Sequence, residues 1–150
     1  MESDLVGAVL GIALRYQDKG KMREVTEVSG VENGGLEGDL ASRPDRGVTL
    51  IASKQWEQAT TELGVDLPWY TRRANILIDS EGLGGLIGKR IRIGEIELKV
   101  NDETRPCELM DRLEPGLKDV LKPDCRGGVN GRIVKAGRVR VGDEVRIIGE

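Results

Sequence analysis

The 150-residue chain contains no histidine and no phenylalanine. The missing histidine removes the usual general base, the Ser-His-Asp triad and nearly every zinc-enzyme ligand pattern. Aromatic residues are limited to Tyr16, Trp56, Trp69 and Tyr70. A surface that stacks bases needs aromatic faces beside positive charge, so no nucleic-acid partner is expected. Charged residues make up 33% of the chain, yet the net charge is only −3, and no face need be strongly basic. Cys107 and Cys125 are the only cysteines, and two thiols alone cannot make a structural zinc site. The acidic start Met1-Glu2-Ser3-Asp4 is unlike the basic start of a secretory leader, which points to a reducing, cytoplasmic compartment. No apolar run approaches the length that spans a bilayer, so no membrane partner is expected either.

What the chain has in quantity is glycine, 21 residues spread evenly, the mark of short strands joined by tight turns. At this length one domain, residues 1–150, has a real core, and that core must be Val, Ile and Leu. Leu5 to Leu14 is an apolar run that suits a buried strand. Arg23 to Ser29 alternates weakly and closes on Gly30, and Val48 to Ala52 is a β-branched strand. Ser53 reads as the N-cap of a helix from Lys54 to about Leu63, with Gly64 as its stop. Trp56, Ala59, Thr60 and Leu63 fall on one face of that helix. Ala74 to Asp79 resumes as a strand, and Ile91-Ile93 and Ile96-Leu98-Val100 alternate across Gly94-Glu95 as a hairpin. Two short helical pieces follow, near Glu108 to Leu113 and Leu117 to Lys122, and then the last strands, Arg132 to Ala136, Val139/Val141 and Val145/Ile147. The expected fold is mainly β, a closed or nearly closed β-barrel with a few peripheral short helices.

The residue that carries the most chemistry is Cys107, in the run Glu103-Thr104-Arg105-Pro106-Cys107 between a strand and a short amphipathic helix. Arg105 and a helix start favour a thiolate, the form that attacks electrophiles and binds soft metals, while Glu108 and Asp111 oppose it. Cys125 follows Pro123-Asp124, where a carboxylate disfavours the thiolate, and reads as an incidental packed cysteine. A buried, inert Cys107 is the plain alternative.

Several further pieces recur in one order. They are Gly35-Leu36-Glu37-Gly38-Asp39 with Arg46-Gly47-Val48-Thr49-Leu50-Ile51, then Arg73-Ala74-Asn75-Ile76, then Leu86-Ile87-Gly88-Lys89-Arg90-Ile91-Arg92-Ile93-Gly94. Arg105-Pro106-Cys107-Glu108-Leu109-Met110, Arg126-Gly127-Gly128-Val129 and Gly137 to Val145 complete the set. Over about Gly35 to Ile147 the chain resembles the molybdenum cofactor sulfurase C-terminal (MOSC) domain family. The resemblance implies a barrel of the pyruvate-kinase-barrel type and an association with the molybdenum cofactor, molybdopterin. It implies Cys107 as the catalytic residue, either a molybdenum ligand or a persulfide-bearing sulfur carrier. It implies Arg73, Asn75, Thr104 and Arg105 beside the cofactor.

The chemistry of the residues agrees with that role. Thiolate is a soft ligand suited to molybdenum already held by dithiolene sulfur. Arg72, Arg73 and Arg126 are candidate forks for the cofactor phosphate, and Gly127-Gly128 a candidate backbone nest. Asn75 has the donor and acceptor for a pterin edge. Expected partners are the small-molecule cofactor and a cysteine desulfurase or molybdoenzyme, with a sulfur-transfer or cofactor-dependent activity. Relatives that hold the cofactor carry an N-terminal barrel domain around the pterin, whereas the residues before Gly35 have length for a strand or two. The reading from another class is a small-ligand-binding or regulatory barrel that uses no cysteine chemistry.

Overall fold

The computed structural model describes residues 4–16, 22–40 and 47–149. Of the loop expected from the sequence at Arg43-Pro44-Asp45-Arg46-Gly47, all but Gly47 lies outside the described residues. Ten strands are described: β1 (Leu5–Arg15), β2 (Met22–Val25), β3 (Glu27–Gly30), β4 (Val48–Ala52), β5 (Ile76–Ile78), β6 (Arg90–Ile93), β7 (Ile96–Glu103), β8 (Val129–Lys135), β9 (Gly137–Arg140) and β10 (Glu144–Gly149). Three α-helices are described: α1 (Ser53–Leu63), α2 (Glu108–Leu113) and α3 (Leu117–Val120). Seven strands close a barrel in the order β10-β6-β7-β8-β4-β5-β1, with β1 returning to β10 and β2 attached to β1.

The barrel closes because β1 is long enough to serve three partners in succession. Leu5 to Ala8 pair with β10, Val9 to Ile12 with β5, and Ile12 to Arg15 with β2, with bulge-like register shifts between Leu5 and Gly7 and between Val9 and Gly11. Closure removes the exposed edges that open sheets must protect. Alternation in β6 and β7 sends Ile91, Ile93, Ile96, Leu98 and Val100 inward, all fully buried. They meet Val48, Leu50, Ile76, Ile78, Val129 and Ile133 in one apolar cluster. The absent phenylalanine is replaced by branched aliphatics, which suit a narrow barrel interior.

One pairing is parallel, β4 with β5, and α1 is the crossover that such a pairing needs. Trp56, Ala59 and Thr60 of α1 are buried as its spacing requires. The helix starts differently from the expectation: Ala52 is the N-cap and Ser53 is the first helical residue, with no side-chain cap bond. Lys54 N–H instead donates to the Ser80 carbonyl at 3.3 Å, so a neighbouring loop meets the need that a serine side chain would have met. The expected Arg23 to Ser29 strand is two strands, because the chain leaves β1 at Thr26 to pair with β9.

Outside the barrel, Ile51, Trp56, Ala59, Ala74, Met110, Leu117 and Leu121 form a second apolar cluster. It fixes α1, α2 and α3 against one flank of the barrel, and with them the segments entering and leaving α2. No described helix is long and apolar enough to cross a membrane.

Candidate functional site

The site is built where two backbone segments lie side by side. The first, Thr104 to Cys107, leaves β7 and enters α2. The second, Pro123 to Gly128, enters β8. Thr104 N–H donates to the Gly128 carbonyl at 2.8 Å, and Gly128 N–H to the Cys125 carbonyl at 2.8 Å. Gly127 is dictated by this crossing and Gly128 by the neighbouring β4. A Cβ on Gly127 would stand 2.5 Å from the Thr104 carbonyl oxygen, and one on Gly128 would stand 2.1 Å from that of Leu50. Gly128 also has φ of 96°, a conformation that L side chains rarely adopt.

Arg72 ties the two segments together. It ends a 3-10 turn, Trp69–Arg72, and is 5% exposed. Its Nε donates to the Gly127 carbonyl and its Nη2 to the Thr104 carbonyl, each at 2.9 Å, while Nη1 reaches Met110 Sδ at 3.7 Å. Residues 104 and 110 bracket Cys107 in sequence, and Met110 N–H donates to the Cys107 carbonyl at 2.9 Å. The guanidinium therefore sits behind the turn that carries the thiol. Cys107 itself is exposed and caps α2 in an extended conformation.

The electrostatics are unusual for a buried arginine. Burial pushes Arg72 down to about 10; a Cys107 charge opposes that shift, and nearby Arg15 adds to it. Among the described residues no carboxylate forms an ion pair with Arg72, so the anion-forming group acting on it is Cys107. Arg15 has its own counterion. Asp39, with its carboxylate fully buried, accepts from Arg15 N–H at 2.8 Å, Nε at 3.2 Å and Nη2 at 3.1 Å. Asp39 thus pairs with Arg15.

The other expected residues fall in distinct places. Asn75 is fully buried and works as a clamp: Oδ1 accepts from Thr49 N–H at 3.0 Å and lies 3.5 Å from Arg15 Nη2, while Nδ2 donates to the Ala13 carbonyl at 3.2 Å. Arg73 is half-buried in a left-handed conformation, φ 64°, where the chain turns toward β5. Thr104 Oγ1 accepts from Asn130 Nδ2 at 2.8 Å. Arg105 is 74% exposed and 3.8 Å from Glu103. Arg126 points to α1, where Nη1 and Nη2 each meet a Glu62 carboxylate oxygen at 2.9 Å and Nη1 also meets the Val120 carbonyl. Thr104, Cys107, Gly127 and Gly128 are brought together around Arg72, and Asn75 approaches them through Arg15.

Cys125 is half-buried with a left-handed φ of 58°, beside Asp124 at 53°. Burial first, then Glu103 and Asp124, push its thiol up, with Arg105 opposing. Among the described residues no three Cys, Asp or Glu side chains gather as a metal cage. Two surface hollows, about 520 Å³ around Leu10, Val25 and Val141 and about 440 Å³ around Arg92 and Arg146, contain none of the residues around Cys107. Arg15 and Asn130 were not among the expected site residues. Their signals are an arginine closing an otherwise apolar strand and an asparagine inside one, a position asparagine rarely takes.

Comparison with known proteins agrees with this architecture. No curated protein sequence matches the chain. Among solved structures, the YuaD protein of Bacillus subtilis superimposes with a TM-score of 0.79 at 16% identity over 96% of each chain. YiiM from Escherichia coli gives 0.72 at 17% identity, over 95% of this chain and 70% of that one. YiiM from Geobacillus stearothermophilus gives 0.68 at 14% identity, over 97% and 74%. At such identities the likeness is one of fold. The family model of the MOSC domain matches residues 37–146, from the loop before Asp39 into β10, and this chain belongs to the MOSC domain family, which is associated with the molybdenum cofactor.

Proposed function

We propose that this domain is a sulfur carrier in molybdenum-cofactor chemistry, holding sulfane sulfur as a persulfide on Cys107. The observation behind the reading is the pairing of an exposed thiol with a buried arginine that has no carboxylate counterion among the described residues. A buried charge without a partner is costly. An anion on Cys107, thiolate or persulfide, removes that cost. Cys107 thiolate attacks the terminal sulfur of a donor R–S–SH; the new Sγ–S bond forms as the donor S–S bond breaks. The donor departs as thiolate, and no electron or atom is left over. Membership in the family makes molybdenum-cofactor-related proteins the natural partners, with a cysteine desulfurase as protein donor and a molybdoenzyme as recipient.

The same residues fit a whole molybdopterin poorly. Arg126 is bound to Glu62 and the Val120 carbonyl. Asn75 uses both its polar atoms within the barrel. Gly127 and Gly128 are packed against backbone carbonyls rather than lining an open nest. Cys107 offers one soft ligand and Arg105 an outer guanidinium.

The test is mass spectrometry of natively purified protein, with elemental analysis for molybdenum and tungsten. An added sulfur atom on Cys107, lost on reduction and absent from Cys107→Ser, is the expected result. Stoichiometric molybdenum with pterin and no sulfur adduct would replace this reading with cofactor holding. Neither adduct nor metal, together with no loading from added cysteine persulfide, would leave the barrel without cysteine chemistry.

A further inference from the structure

We propose that the outer wall formed by β10, β6, β7 and β8 is a docking surface for an acidic segment of a partner protein. Each of these strands gives the wall one or two cations, and the register assembles them. Arg90 stands opposite Lys99, and Lys99 opposite Arg132. In the next row Arg146 stands opposite Arg92, Arg92 opposite Glu97, and Glu97 opposite Lys135. The barrel interior takes Ile91, Ile93, Leu98, Ile133 and Val145 from the same strands, all fully buried, so the charged residues face out. With Glu144 included, the wall holds six cations against two carboxylates, in a chain whose net charge is −3.

Like charges directly opposite one another destabilise a sheet. The row Arg90, Lys99 and Arg132 has no carboxylate partner among the described residues. Lys99 Nζ donates to the Gly88 carbonyl, and Arg132 Nη1 to Asn33 Oδ1 at 3.2 Å. In the other row Glu97 is shared, 3.7 Å from Arg92 and 3.9 Å from Lys135, while Glu144 lies 3.2 Å from Arg146. The hollow of about 440 Å³ opens between Arg92 and Arg146 and is also lined by Asp143 and Glu144. Asp143 Oδ2 is taken by Arg140 N–H at 2.7 Å, which leaves the arginines to receive an incoming carboxylate.

The make-up of the wall selects among anionic partners. All four aromatic residues lie outside these strands, so bases have nothing to stack on. The negative net charge repels a long polyanion at a distance, whereas a short acidic segment meets only the local field. Glu97 stands inside the wall, where a continuous phosphate backbone would have to pass over it and separate carboxylates would not. Four of the six cations are arginine, the residue that binds carboxylates in a bidentate fork and is enriched at protein interfaces. Half-buried Val134 and Ile148 in the same strands add apolar contact. The wall is independent of Cys107, and the proposal does not rest on the sulfur-carrier reading.

The test titrates the full chain into a short fluorescent polyglutamate peptide and follows anisotropy. Binding should appear at low salt and fade between about 50 and about 300 mM salt. The double variant Arg90→Glu with Arg132→Glu should weaken it about 10-fold or more. Lys54→Glu with Arg112→Glu, exposed positions on α1 and α2, changes net charge equally and should weaken it about twofold at most. The first variant leaves Lys99 between opposite charges, so its Tm should hold or rise by about 1–4 °C. No binding at low salt, or equal weakening by the two variants, overturns the proposal. Tighter binding of a DNA duplex of equal charge, or of phosphatidylserine vesicles, overturns the choice of an acidic polypeptide. Should the variant fail to fold, amide chemical shifts of the unaltered protein decide. Peptide-induced changes should centre on β6, β7, β8 and β10, and changes centred elsewhere overturn the proposal.

Discussion

Gly127→Ala should both destabilise the domain and disturb the thiol, because one atom has nowhere to go. The new Cβ would stand 2.5 Å from the Thr104 carbonyl oxygen, 3.2 Å from Pro106 Cδ and 3.4 Å from Arg72 Nη2. The closest of these is backbone, held by the 2.9 Å bond from Arg72 and by the Thr104 N–H bond to Gly128. Relief of roughly half an ångström would stretch the Arg72 bond toward the limit of useful hydrogen bonding. Overpacking of this kind costs about 1–3 kcal/mol, and a weakened bond to a charged donor adds part of about 1.5–3 kcal/mol. A total of about 2–4 kcal/mol corresponds to a Tm lower by roughly 5–15 °C in a domain of this size. The same displacement moves Pro106 and Cys107, so the alkylation rate of Cys107 should change as well. Gly85→Ala is the control, since a Cβ there meets nothing within 4 Å, and it should be neutral or slightly stabilising. Thermal melts and timed alkylation of both variants make the comparison. A Gly127→Ala protein with unchanged Tm and unchanged Cys107 reactivity would refute the crossing of the two segments as described.

Two further outcomes are expected. Burial and the carboxylates of Glu103 and Asp124 raise the Cys125 thiol above its ordinary value of 9.0, so at pH 8 it should alkylate more slowly than free cysteine, with the rate still rising beyond pH 9; a rate matching free cysteine at pH 8 would contradict this. Asn75→Ala leaves Thr49 N–H and the Ala13 carbonyl without their partners in a fully buried place, which costs about 1–3 kcal/mol for each group; urea unfolding should show a lower midpoint with an unchanged slope, and a midpoint equal to that of the unaltered protein would remove the clamp.

The barrel was legible because its signals are local and repeat. The alternation in Arg90-Ile91-Arg92-Ile93 and Ile96-Glu97-Leu98-Lys99-Val100 marks one buried face, and the structure pairs Ile91 with Leu98 and Ile93 with Ile96 as that face requires. The end of α1 followed from Gly64, which closes the helix in a left-handed cap. Parallel pairing of β4 with β5 was not legible, since neither strand carries a turn that fixes its partner. The long β1 read as one buried strand, but its two register shifts, which let it serve three neighbours, leave no mark in an apolar run.

The site was harder to read for a physical reason that the pair Arg72 and Arg73 makes plain. Both are arginines in one turn, and composition gives them equal claims on an anion. The turn separates them: Arg72 ends the 3-10 segment with its side chain buried, whereas Arg73 takes the left-handed conformation that redirects the chain into β5. That reversal also carries Asn75 into the barrel wall, where its side chain meets β1 and β4. Arg73 and Asn75 therefore stand at the bend that follows Arg72, and the buried guanidinium belongs to the residue before them. Arg15 reaches the same place from β1, 57 positions earlier in the sequence than Arg72, and only barrel closure brings it there. The fold buries one guanidinium without a carboxylate partner among the described residues and fixes the other with Asp39. Neither condition is a property of any short stretch of sequence.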